Sequence, residues 1–93
     1  MQDKVREDAM FVLQTVHDVI GERVGETVAL QEAVRRGGWE PHGPDYNAAV
    51  EYLLDNRALE PDTRFGAIAS GDYPGGFLHF YMIERGRDML REQ

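Results

Sequence analysis

The stretch Phe80-Tyr-Met-Ile-Glu-Arg-Gly-Arg-Asp-Met-Leu90 changes its hydrophobic period halfway along, and this change decides the fold. In its first half the side chains alternate with the two-residue period of a β-strand, which puts Phe80 and Met82 on one face. In its second half Met89 and Leu90 are the apolar residues of a short helix, predicted over residues 84–92. The sequence therefore predicts a strand that leads directly into a closing helix.

A second strand-like run lies upstream of this one. Residues 65–70, Phe-Gly-Ala-Ile-Ala-Ser, and residues 77–83 are separated by the six residues Gly71-Asp-Tyr-Pro-Gly-Gly. Two strand-like runs with a short loop rich in glycine and proline between them are typical of a β-hairpin. We therefore predict a hairpin over residues 65–83, with residues 71–76 as its loop.

Three helices are predicted before the hairpin. Apolar residues at three-and-four spacing indicate the first over residues 5–20, where Gly21 ends it. The second spans residues 28–36, with Thr27 as its N-cap and Gly37-Gly38 as its stop, and the third spans about 45–57, with Asp45 as its N-cap. Between the first two, Val24 can contribute a short strand. The predicted core positions of the three helices are Val5, Ala9, Val12, Leu13, Val16, Ile20, Leu30, Ala33, Val34, Tyr46, Val50, Leu53 and Leu54.

Length and composition predict one soluble domain over residues 1–93. Apolar residues make up 42% of the chain and charged residues 29%, which is ordinary for a folded protein. There is no cysteine, so disulfides and thiolate metal sites are excluded. No apolar run is long enough to span a bilayer, and the amino terminus lacks the layout of a signal peptide. We therefore expect a cytoplasmic protein that does not bind membranes.

The order of helix, helix, helix, hairpin and short helix resembles that of winged helix-turn-helix domains of transcription regulators. Residues 80–90 are similar to the family segment in which an aromatic strand residue precedes Leu-Thr, two charged residues, Gly, Arg, an acid and two apolar residues. Met82 stands at the Leu position and Ile83 at the Thr position. Residues 53–61 resemble the end of the third helix, running into the first wing strand. The resemblance implies a mainly α, α+β fold: a three-helix core, a β-hairpin wing and a short C-terminal helix.

Charge argues against the DNA binding that this family often performs. Ten Lys and Arg against seventeen Asp and Glu give a net charge of -7, which repels a phosphate backbone. The third helix, which would enter the major groove, carries Asp45, Glu51 and Asp55 outward and only Arg57 near its end. We therefore expect a protein partner instead of DNA.

DNA binding stays open as the alternative. A dimer that gathers Arg35, Arg36, Arg57 and Arg64 on one side could contact phosphates as a sequence-specific regulator. The other arginines near the carboxyl terminus are interleaved with acids, which is typical of a solvated mixed-charge face. They are Arg85, Arg87 and Arg91, among Glu84, Asp88 and Glu92.

A protein interface is predicted on the outer face of the last strand. If Leu78, Phe80 and Met82 face the core, then Phe77, Tyr81 and Ile83 face outward, and Tyr73 of the hairpin loop extends that surface. Either helix one or the terminal segment covers this face, or it is an exposed aromatic patch for a partner or a homodimer. In the second case, mutating Phe77 and Tyr81 to Ser weakens the assembly without unfolding the domain.

The sequence nominates no catalytic, cofactor-binding or metal-binding residue, so we expect no enzyme. His17, His42 and His79 are far apart and lack the helical spacing of a metal site. Glu60 and Asp62 flank Pro61, but two acids in a loop make no acid–base pair without a cleft between them. The chain has no nucleophile motif of the Gly-x-Ser-x-Gly kind.

Overall fold

The computed structural model describes residues 2–21, 27–40, 43–63 and 79–92, which form four helices and a three-stranded sheet. The predicted class, α+β and mainly helical, is confirmed for this part of the chain. In chain order the elements are α1 (Gln2–Ile20), β1 (Thr27–Ala29), α2 (Leu30–Arg36), α3 (Pro44–Asp55), β2 (Leu59–Pro61), β3 (His79–Met82) and α4 (Glu84–Arg91).

The sheet has β3 at its centre, in the order β1-β3-β2, and both pairings are antiparallel. Tyr81 lies opposite Thr27 of β1 and Glu60 of β2. The N–H of Asp62 donates to the carbonyl of His79 at 2.8 Å, two residues along each strand from that pair. Because hydrogen-bonded pairs alternate along an antiparallel ladder, Leu59 and Pro61 turn their peptide groups away from β3.

The core lies between the inner face of the sheet and the helices. As predicted, Phe80 and Met82 are buried, whereas Tyr81 between them is only half-buried. The predicted stripe of α1 is also buried, except that Val5 at its start is half-buried. The buried apolar residues are Ala9, Met10, Val12, Leu13, Val16, Ile20, Val28, Leu30, Ala33, Val34, Tyr46, Ala49, Val50, Leu53, Ala58, Leu59, Phe80, Met82 and Met89.

The predicted start of the second helix is wrong. Thr27 does not cap α2 but begins β1, and Val28 pairs with Phe80 in the sheet. The N-cap position is Ala29, whose side chain makes no capping hydrogen bond. Pairing with β3, a strand some fifty residues away, holds residues 27–29 extended, and a local capping signal carries no information about such a contact.

The predicted start of the third helix is also wrong. Gly43 occupies the N-cap position, Pro44 is the first helical residue, and Asp45 lies inside the first turn. Proline suits this position because its ring fixes φ near the helical value and its missing N–H would have no partner there. The carboxylate of Asp45 still lies near the positive end of the helix dipole.

Several predicted features lie outside the described residues. They are the strand over residues 65–70, the loop over residues 71–76, and the short strand at Val24. Strand β2 at Leu59–Pro61 was not predicted, because the first wing strand was expected over residues 65–70 and the hydrophobic period does not mark residues 59–61. Helix α4 follows the prediction closely: Met89 is buried and Leu90 packs against the core.

Candidate protein-binding site

The outer face of α3 is a row of carboxylates. Asp45, Glu51 and Asp55 are exposed, and the half-buried Ala48 and Tyr52 share this face. No lysine or arginine belongs to α3 itself. The surface that this helix offers to a partner is therefore acidic.

One lysine from another helix reaches this row. The ammonium of Lys4 in α1 lies 2.7 Å from a carboxylate oxygen of Asp8 and 3.4 Å from one of Asp45. The hydrogen bond to Asp8 raises the pKa of Lys4 above its ordinary value, and Asp45 acts in the same direction. Lys4 is exposed, so this contact offsets the charge of Asp45 without removing it from solvent.

Arg57 lies just past the end of α3 in a left-handed conformation, with φ of 57°. Two hydrogen bonds close the helix there: the N–H of Ala58 donates to Leu53 at 2.8 Å and that of Arg57 to Leu54 at 3.1 Å. This is a Schellman motif, in which the left-handed position is normally glycine. The exposed guanidinium of Arg57 makes no ion pair with any described residue.

A groove of about 520 Å³ adjoins Arg57. Leu54 and Ile83 line it together with Arg57. The groove thus brings together Ile83 of the predicted protein interface and Arg57 of the DNA-binding alternative. Its other lining residues are Asp55, Leu59, Glu60 and Pro61. Among the described strands β2 lies at an edge of the sheet, and a three-residue strand that contains a charged residue and a proline is a poor template for an added strand.

The arginines of the DNA-binding alternative do not share one groove. Arg35 and Arg36 both contact the carboxylate of Glu32, at 3.1 and 3.5 Å, and neither lines the groove beside Arg57. Arg64 lies outside the described residues. Near the carboxyl terminus, Arg91 pairs with Asp88 at 2.9 Å, and Arg85 lies 3.9 Å from Glu92, which fits the predicted mixed-charge face.

The predicted aromatic interface is only partly described. Tyr81 is half-buried on the outer face of the sheet and has an interaction partner, and Ile83 is half-buried at the start of α4. Phe77 and Tyr73 lie outside the described residues. Neither Tyr81 nor Ile83 is therefore the freely exposed apolar group that an unoccupied interface would present.

The most exposed large apolar side chain of the described residues is Phe11, on α1, at 40%. Its ring packs edge-on against that of Trp39, with 5.4 Å between the centroids and an angle of 82°. A second Schellman motif holds Trp39 there, since Gly38 has φ of 86° and the N–H of Trp39 donates to Val34 at 3.0 Å. Trp39 is half-buried and packs against the core.

A groove of about 270 Å³ runs from Phe11 along the junction of α1 and α2. We call it the Phe11 groove; its lining residues are Phe11, Gln14, Thr15, Asp18 and Val19 of α1 and Ala33, Arg36 and Gly37 at the end of α2. A Cβ on Gly37 would lie 3.0 Å from Cζ of Phe11, so the ring rests directly on this glycine. The groove is therefore lined by apolar side chains together with one carboxylate, that of Asp18, and one guanidinium, that of Arg36.

Sequence reasoning missed this groove, although a signal was present. Phe11 lies off the buried stripe of α1, and Thr15, Asp18 and Val19 follow it at helical spacing. An aromatic residue and a valine on the polar side of an amphipathic helix indicate a second apolar contact. The glycine pair that ends α2 does not by itself indicate which helix it meets.

No group of three or more His, Asp and Glu in the described residues could hold a metal ion. His17 and His79 lie on α1 and β3, and His42 is outside the described residues. Glu60 is exposed, whereas Asp62 is fully buried beside it. None of the helices described in the structure is long and apolar enough to cross a bilayer.

A comparison of the chain with protein-family models, with curated proteins and with solved structures finds no match in any of the three.

Proposed function

We propose that the chain is a winged-helix module of the transcription-regulator type that catalyses no reaction and acts by binding protein. The order of its elements supports this, because three helices precede β2, β3 and α4, and β1 adds to the sheet on the other side of β3. In such a module α3 is the helix presented to the target. A cytoplasmic location belongs to the same proposal, since a chain without cysteine needs no oxidising compartment.

The observation that carries the proposal is the acidic outer face of α3. Helices that read DNA supply basic and amide groups to phosphates and base edges, whereas this one supplies Asp45, Glu51 and Asp55. The charge of -7 adds a long-range repulsion that a few arginines do not offset. A protein surface is the target that this charge distribution favours.

The direct experiment is a titration of a labelled random-sequence DNA duplex, followed by fluorescence anisotropy at low salt. We expect no binding at micromolar protein concentrations. Binding that weakens steeply as salt rises would contradict the proposal, because that slope counts phosphate contacts.

A charge-reversal variant tests whether α3 is the surface that excludes DNA. Replacing Asp45, Glu51 and Asp55 by lysine should create salt-dependent duplex binding, because the helix then offers cations to phosphates. The matched control reverses three exposed acids that lie off α3, namely Glu7, Glu40 and Glu92, and so has the same net charge. Equal DNA binding by both variants would show that total charge alone decides.

Sequence-specific DNA binding is the second candidate, and the observation that favours it is the exposed guanidinium of Arg57, which makes no ion pair with any described residue. If it holds, Arg57→Ala weakens binding to all duplexes similarly and lowers the salt slope by about 1, as expected for one lost phosphate contact. Arg35 and Arg36 would each do the same. Wild-type protein without duplex affinity removes this candidate.

A further inference from the structure

We infer that a second copy of this chain occupies the Phe11 groove, about a twofold axis that sets the two α1 helices antiparallel. The inference goes beyond the proposed function, because no residue of α3 lines the Phe11 groove. Both copies use the same surface, which is the commonest symmetry of protein dimers.

The apolar part of the groove is complementary to itself. Phe11 projects at one end, where its ring rests on Gly37. Val19 and Ala33 line the same groove, and Val19 lies eight residues further along α1, about 12 Å away at the rise of an α-helix. A twofold axis near Thr15 therefore brings the ring of each copy over Val19 of the other.

The charged part of the groove is also complementary to itself. Asp18 lies beside Val19, whereas Arg36 lies beside Gly37 at the Phe11 end. In the antiparallel arrangement Asp18 of each copy meets Arg36 of the other, and the contact forms twice. A parallel arrangement would instead set Asp18 against Asp18, which electrostatic repulsion disfavours.

Both charged groups are free to change partners. The carboxylate of Asp18 accepts a hydrogen bond from the amide of Gln14 at 3.0 Å, and Nε of Arg36 lies 3.5 Å from Glu32. These are contacts within one helix between exposed side chains, which contribute little to folding. Exchanging them for contacts across the twofold axis therefore costs little.

The first test measures molar mass by light scattering at tens of micromolar in moderate salt. The wild-type chain should have twice its 10.6 kDa monomer mass. Phe11→Ser should raise the dissociation constant by at least about a hundredfold, because a buried aromatic anchor is lost from both copies. Circular dichroism and a thermal melt establish that the variant is folded.

Charge reversal gives a test that does not depend on the packing of Phe11. Asp18→Arg or Arg36→Asp alone sets like charges together twice and should weaken the dimer at least about tenfold. Mixing the two variants restores both opposite-charge contacts, so the heterodimer should be at least about tenfold tighter than either variant's homodimer. Recovery in the mixture is a result that damage to the fold cannot produce.

Arg35→Asp is the matched control for Arg36→Asp. It makes the same charge change in the same helix and removes a contact to the same Glu32, but Arg35 does not line the groove. The dimer should keep its wild-type dissociation constant.

Three results would overturn the inference: a wild-type monomer, a dimer that Phe11→Ser leaves unchanged, or variants that do not recover on mixing. The DNA titration decides the proposed function separately. A monomer that binds no DNA removes the dimer and leaves protein binding in place. A dimer that binds DNA with a steep salt slope removes the proposed function and leaves the dimer.

Discussion

Gly86 in α4 lies so close to the carbonyl oxygen of Ala58 that a Cβ at position 86 would be 2.5 Å from it. That carbonyl cannot easily move, because it accepts the N–H of Ile83 at 3.2 Å. The added atom would also lie 3.1 Å from Met82 and 3.2 Å from Leu13. The first turn of α4 therefore packs on Ala58, which lies between α3 and β2, and on α1 only because residue 86 has no side chain.

We predict that Gly86→Ala lowers the free energy of unfolding by about 2 kcal/mol, because crowding outweighs the better helix propensity of alanine. Urea denaturation measures the change. The control is Gly43→Ala, where the new Cβ meets no atom within 4 Å and the loss should stay below about 1 kcal/mol. Equal losses at both positions would mean that the contact with Ala58 carries no strain.

We predict that Arg57→Gly does not destabilise the domain and raises its free energy of unfolding by up to about 1 kcal/mol. Glycine removes the cost of a left-handed residue, and its greater freedom in the unfolded chain offsets part of the gain. Arg57→Val should lose more than about 1 kcal/mol, because a β-branched residue is strained at this φ. Denaturation midpoints should decrease in the order Gly, Arg, Val at position 57. Any other order would contradict the left-handed conformation of this residue.

Lys4 should titrate at a higher pH than an ordinary lysine, as followed by NMR of its side chain. Asp8→Asn should lower the pKa of Lys4, and Asp45→Asn should lower it by less, because the hydrogen bond to Asp8 is the larger cause. Since the folded pKa is raised, the contribution of Lys4 to stability is complete below the ordinary lysine pKa. It is lost as the pH rises through the folded value. A larger effect of Asp45→Asn would contradict this ranking.

Trp39 is the only tryptophan of the chain and reports on the Phe11 groove through its ring contact with Phe11. If a second copy covers the groove, tryptophan emission should move to shorter wavelength as protein concentration rises. The midpoint should match the dissociation constant from light scattering. Arg36→Asp should move this midpoint to at least about tenfold higher protein concentration, whereas Arg35→Asp should leave the midpoint unchanged. If the emission stayed constant over the concentrations at which light scattering shows dimerisation, the dimer contact would lie outside the Phe11 groove.

Local sequence patterns predicted the helices, but they failed where pairing with a distant segment determines the backbone conformation. The stripe of α1 and the alternation of β3 are periodic, so their buried faces could be read from spacing alone. Thr27 was predicted as a cap because the sequence does not reveal that β3 pairs with residues 27–29. Gly86 was part of the family resemblance. The need for glycine at this position comes from the carbonyl of Ala58, and this contact is visible only in the folded structure.

The candidate site was less predictable than the fold. The acidic face of α3 followed from helical spacing, and the structure exposes its three carboxylates as expected. The Phe11 groove could not be predicted in the same way, because it is formed by two helices and by a glycine pair that turns Trp39 back onto α1. The exposure of Tyr81 was also not predictable, since it depends on what lies against the outer face of the sheet.

Strand β1 passes directly into helix α2. Ala29 ends the strand and Leu30 begins the helix, with no loop residue between them to absorb a rotation. A rotation of α2 therefore also moves the residues that pair with β3. If a second copy covers the Phe11 groove and holds α2 in place, we expect slower amide exchange in β1, because opening of the β1–β3 pairing would then also require α2 to move.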